Sequence, residues 1–176
     1  KKGPFFFADT TVNIRPEART IADTTLLTAN EVRKFNMVPK IAIVSYSNFG
    51  GVRDGSPARA KEAVEILHRD YPDLIVDGEM QANYAFNNEL RMEKFPFTKL
   101  KDHEVNTIIF PNLSAGNIAY KMMQEIGEAE VIGPIMVGIR KPIHVMQMGS
   151  SVREIENMAA IAVVDAQTTG KEIVQL

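Results

Sequence analysis

The residues best suited to chemistry lie between Gly138 and Ser151. Arg140 and Lys141 follow the apolar run Val131 to Ile139, and two adjacent cations at a strand end suit a phosphate or pyrophosphate group. The same pair also suits a plain surface strand end, so spacing leaves both readings open. Gly149-Ser150-Ser151 sets small residues and hydroxyls ahead of the helix expected from Val152, where backbone N–H groups would face an anion. A second candidate is Ser45-Tyr46-Ser47-Asn48-Phe49-Gly50-Gly51, which follows the apolar run Ile41 to Val44. Its hydroxyls and glycines could cradle a phosphate. It is neither a Walker loop nor GxGxxG, and it also reads as a strand-to-helix turn that needs Gly for its geometry. Asn112 to Asn117 is a third loop of small, hydrogen-bonding residues.

Asp77 and Glu79 stand two apart at the end of a short apolar run. They suit an acid/base pair or a hard-metal site. The favoured reading is plainer: a helix N-cap with a solvated neighbour. His68-Arg69-Asp70 imitates a kinase catalytic loop, but no Asp-Phe-Gly follows, and it reads as a solvated helix end. His103 falls in a charged loop. His144, in a strand beside the candidate site, has either a functional role or that of a hydrogen-bonded strand residue. No spacing resembles a metal site, so no metal ligand is assigned.

Strands and helices must position these groups, and the pattern supplies both in alternation. Strands are expected over Phe5 to Ile14, Lys40 to Tyr46, Leu74 to Val76, Thr107 to Phe110, Val131 to Ile139 and Ile143 to Met146. Helices are expected from Pro16 to Phe35, Pro57 to Arg69, Tyr84 to Lys94, Ile118 to Ile126 and Val152 to about Thr168. Such alternation with short links predicts an α/β fold with a mainly parallel sheet flanked by helices. In such sheets ligands gather at the carboxyl ends of the strands, where all the candidate loops lie.

Composition narrows the classes further. With 176 residues, 45% of them hydrophobic, the chain can build one sizeable core or two small subdomains. A net charge of −2, from 20 basic and 22 acidic residues without long runs of one sign, argues against a nucleic-acid partner. No apolar stretch reaches the ~20 residues of a bilayer span, and no signal-peptide pattern opens the chain. The absence of cysteine removes disulfides and thiolate chemistry, and a cytoplasmic location is expected. The chain opens without an initiating Met, as a piece of a longer protein would.

A resemblance adds to this. Asp9-Thr10-Thr11-Val12-Asn13, Ser45-Tyr46-Ser47, Asp77-Gly78-Glu79-Met80-Gln81, the run Phe110 to Lys121 and the run Gly133 to Gln167 resemble the phosphate acetyltransferase (phosphotransacetylase) family. The likeness extends over nearly the whole chain. It implies a two-subdomain α/β fold of the isocitrate/isopropylmalate dehydrogenase-like architecture, one subdomain being inserted into the other. Residues 1–148 would be the inserted-type subdomain. Residues 149–176 would form a C-terminal helix returning to an N-terminal subdomain outside this chain.

It also implies that Ser45, Ser47, Asn48, Gly50, Asn112, Gly138, Lys141, Gly149, Ser150 and Ser151 face CoA or phosphate. In the family a Ser-Arg pair occupies the positions of Gln147 and Met148, its Arg holding the phosphoryl group. An Asp at the position of Glu154 helps to deprotonate the CoA thiol. Glu154 keeps a carboxylate one methylene longer, as a vestigial catalytic residue. Met148 can neither donate a hydrogen bond nor carry charge. Losing one such donor typically costs on the order of 10²–10³ in rate.

Gly3 to Asp9, Ser47 to Gly50 and Arg140 to Val145 further resemble the C-terminal region of bacterial hybrid malic enzymes. That likeness implies a regulatory, acetyl-CoA-responsive domain that helps to assemble a homo-oligomer. It implies no cofactor here, with NADP and a divalent metal (Mg or Mn) in a malic enzyme domain outside this chain. The alternatives are an active phosphate acetyl/butyryltransferase and a purely structural dimerisation domain.

Overall fold

A computed structural model describes residues 3–127 and 129–168. Its order is β1 (Phe6–Ala8), α1 (Ala18–Lys34), β2 (Ile41–Val44), α2 (Gly55–Asp70), β3 (Val76–Met80), α3 (Ala82–Phe86), α4 (Asn88–Lys94), β4 (Thr107–Ile109), α5 (Leu113–Glu125) and α6 (Val152–Thr168). The four strands form one parallel sheet in the order β1-β4-β2-β3. The α/β class and parallel sheet expected from the alternation are therefore present.

The side-chain period of two along a strand divides the core into two layers. Ile41 and Ile43 point to one face, where they meet Ile21, Leu26, Ala63 and Leu67 of α1 and α2. Ala42 and Val44 point to the other, toward Met80, Ala85, Leu100 and Phe110, with Ala115 and Ala119 of α5 packed alongside. Both isoleucines are fully buried, each stabilising the fold by roughly 1.5–3 kcal/mol. α1 belongs on this core because Ala18, Ile21, Ala22, Leu26, Ala29 and Val32 recur at helical spacing and are all buried.

Some expected boundaries move for local reasons. β1 stops at Ala8 because the Asp9 carboxylate accepts the backbone N–H groups of Thr11, Val12 and Asn13, turning the chain. Burial alone would raise the Asp9 pKa, but these bonds and that of the Asn13 side chain outweigh it and hold the carboxyl below its ordinary value. α5 begins at Leu113 rather than Ile118, since Asn112 caps it by accepting Ala115 N–H at 3.0 Å.

The larger correction concerns Val131 to Ile139 and Ile143 to Met146, which are not strands. Pro134 and Pro142 have no N–H to give a ladder, and Gly133 and Gly138 adopt positive φ, so the segment crosses the surface without sheet pairing. It leads into α6, which docks on α1 through Met158, Ile161 and Asp165, all buried and spaced along one helical face. Of the expected segment 149–176, residues 169–176 lie outside the described residues. No helix among the described residues is long and apolar enough to cross a membrane.

Candidate functional site

At the carboxyl end of β2 the chain must turn sharply into α2, and Phe49 and Gly50 both take positive φ (47° and 84°), a conformation Gly adopts without steric cost. The polar atoms of this loop are largely engaged in holding it. Ser45 Oγ accepts Ser47 N–H at 3.4 Å, and Ser47 Oγ accepts Val52 N–H at 3.0 Å. Asn48 Oδ1 accepts Gln81 N–H at 2.8 Å, and Gly50 N–H donates to both oxygens of Glu79, at 3.0 and 3.1 Å.

Asp77 and Glu79 do not cap a helix and neither is solvated. Both are buried on β3, so the N-cap reading is overturned. Asp77 accepts Thr98 Oγ1–H at 2.6 Å and Lys99 N–H at 2.8 Å, fixing the loop that follows α4. Glu79 fixes the turn at Gly50. Neither forms an acid/base pair with the other, since Asp77 is held by hydroxyl and amide donors and Glu79 by the Gly50 amide. Among the described residues, no group of three or more His, Asp or Glu side chains is placed to hold a metal ion.

The Gly138–Glu154 region divides between two clefts. A cleft of about 140 Å³ lies between α5, the start of α6 and the intervening segment, lined by Tyr120, Lys121 and Gln124 and, across from them, Gln147, Gly149, Ser150 and Glu154. The second, about 100 Å³, lies between α1 and α6 and takes Gly138 and Lys141 together with Lys34 and Asp165. Lys141 is thus separated from Gly149, Ser150 and Glu154, although sequence reasoning grouped them. Ser45, Ser47, Asn48, Gly50 and Asn112 line neither of these two clefts.

At the mouth of the first cleft, Ser151 and Glu154 form a capping box. Glu154 accepts Ser151 N–H at 2.6 Å and Ser151 Oγ–H at 2.9 Å, while Glu154 N–H donates to Ser151 Oγ at 3.3 Å. The backbone bond from Ser151 holds the Glu154 carboxyl below its ordinary value. Gln147 faces the cleft, whereas Met148 is fully exposed and does not line it. Tyr120, Lys121 and Gln124 escaped sequence reasoning as site residues. They fall three and four apart on one helical face, inside the helix already expected over Ile118 to Ile126, but only the tertiary structure sets that face against the start of α6.

The second cleft holds a buried charge network. Lys34 Nζ donates to Glu31 Oε2 at 2.7 Å and to Asp165 Oδ1 at 2.6 Å, and His144 Nε2 lies 2.9 Å from Asp165 Oδ2. Burial would lower the Lys34 pKa, but the bonds to Asp165 and Glu31 prevail and raise it above the ordinary lysine value. His144, read from sequence as a strand residue, instead ties the surface segment to α6.

These features define an α/β domain with a parallel sheet flanked by helices. The model of the phosphate acetyl/butaryl transferase family matches residues 1–163, and the chain belongs to that family. It is 38% identical over 167 residues to the NADP-dependent malic enzyme of Escherichia coli (strain K12), covering 94% of this chain and 22% of that protein, within its C-terminal part. It is 39% identical over 168 residues to the phosphate acetyltransferase of Clostridium acetobutylicum, covering 95% of this chain and 50% of the relative. The crystal structure of a phosphotransacetylase from Streptococcus pyogenes superposes with a TM-score of 0.85 at 37% identity, covering 92% of this chain and 49% of that one. The chain therefore spans between about a fifth and half the length of these relatives.

Proposed function

We propose that this chain is an acetyl-CoA-responsive, oligomerising regulatory domain of a malic enzyme, and that it binds the CoA ester without transferring its acyl group efficiently. The observation that carries the reading is the pair Gln147-Met148. Gln147 offers an uncharged amide to the cleft, and the Met148 thioether points to solvent, where the resemblance calls for a phosphoryl-binding Arg. Glu154 supports it too, since its carboxylate is engaged by the Ser151 N–H and hydroxyl. Ligand contacts made elsewhere in a CoA-sized site survive such losses better than catalysis does. An assembly would cover the exposed apolar face of α5, where Ile118, Met122 and Ile126 recur every fourth residue. NADP and a divalent metal would be held by a malic enzyme domain outside these residues, which would carry the oxidative decarboxylation of malate.

The test is a melting-temperature titration of the full-length protein with acetyl-CoA, paired with its malate oxidation rate. A ligand that binds only the folded state stabilises it by about 2.7 kcal/mol at a hundred times Kd, so a clear upward shift and a changed rate are expected. No shift at millimolar acetyl-CoA would leave a purely structural dimerisation domain as the account.

A further inference from the structure

We infer that Lys121 on α5 is the cation that receives a ligand phosphate in the cleft between α5 and α6. The inference rests on the CoA-ester reading above and names the group that makes it electrostatically workable. An anionic ligand entering this cleft meets few positive charges. Met148 carries none, and Lys141 lines the other cleft beside Lys34 and Asp165. Arg153 does not line the cleft, and its guanidinium is paired with Glu130 at 2.8 Å. Nor is the N-terminus of α6 left open, because Glu154 and Ser151 already occupy its first turn.

Lys121 is the one basic residue among those lining this cleft. No carboxylate among the described residues lies within ion-pair distance of it, and its Nζ sits 5.1 Å from the Tyr120 ring centroid. Tyr120 and Gln124 flank it on the same helix and Ser150 and Gln147 line the opposite side, supplying neutral donors around one exposed ammonium. The Glu154 carboxylate on that side is already engaged by Ser151. Such a site takes a phosphate or pyrophosphate as a point charge surrounded by hydrogen bonds. The long exposed lysine stem can follow the ligand at the cleft mouth.

The experiment measures acetyl-CoA affinity by calorimetry on the full-length protein, wild type beside Lys121→Met and Lys121→Arg, at low and at raised salt. Lys121 is exposed, and unchanged melting temperatures of the unliganded variants serve as the folding control. Lys121→Met is expected to weaken binding about tenfold at low salt and less at raised salt, where screening already weakens the wild-type contact. Lys121→Arg is expected to stay within about threefold of wild type. Equal affinity of Lys121→Met and wild type would overturn the assignment while leaving the CoA-ester reading intact, and so would an equal loss at both salt concentrations. Failure of wild type itself to bind acetyl-CoA would remove both.

Discussion

Replacing Asp165 by Asn tests whether the buried charge network, rather than apolar packing alone, holds α6 in place. The carboxylate receives Lys34 at 2.6 Å and faces His144 at 2.9 Å, so the substitution removes the anion between two groups while keeping the side chain's size. Breaking a fully buried ion pair from one side costs about 3–5 kcal/mol. Here the Lys34 side chain is 20% exposed and retains Glu31, so the cost falls to about 2 kcal/mol. α6 touches the sheet domain mainly through α1, so the loss should appear as local opening. About 2 kcal/mol corresponds to roughly a 30-fold rise in the open fraction. Amide hydrogen exchange over residues 152–165 should accelerate by that order, with β2 as the internal control. The sign with pH follows from Lys34, whose folded pKa lies above its unfolded one. Its contribution is therefore complete below the ordinary lysine value and lost as pH rises through the folded value. Acceleration below about threefold, or an equal rise in β2, would refute the idea that these charges anchor α6.

Two further outcomes follow from the packing. Arg91 is fully buried and donates to the carbonyls of Tyr84, Ala85, Leu100 and His103 and to Asn88 Oδ1, so Arg91→Met would strand several buried acceptors. The expected loss is about 3–5 kcal/mol, or on the order of 10 °C in thermal unfolding, and a fall below about 3 °C would contradict it. Asp9, with its carboxyl held below the ordinary value, stabilises the turn after β1 above the unfolded pKa and ceases to do so as pH falls through the folded one. Urea unfolding of wild type should therefore lose stability in acid by a margin that Asp9→Asn does not show.

The fold was largely legible because its signals are local. The apolar run Ile41 to Val44 and the helical spacing from Ile21 to Val32 each signal their own burial, the strand on both faces of the sheet and the helix on the one face that covers it. Val131 to Met146 misled because its apolar content is that of strands, while Pro134 and Pro142, which remove ladder donors, and Gly133 and Gly138, which take positive φ, outweigh that content. Asp77 and Glu79 misled for a different reason. Their donors, Thr98, Lys99 and Gly50, lie far away along the chain, and only tertiary structure brings them within reach. Gly149, Ser150 and Glu154, close together in sequence, line one cleft, whereas Lys121 reaches that cleft from another helix and no local pattern announces it.

The most direct measurement of the central claim is acetyl transfer by the full-length protein, with CoA and acetyl phosphate as substrates and thioester formation as the signal, run beside a Gln147→Ser, Met148→Arg variant. A cleft that binds but does not transfer predicts no efficient turnover in wild type and a partial gain in the variant. Wild-type turnover near that of ordinary enzymes, roughly 10 s⁻¹, would contradict the regulatory reading and make this domain a transferase.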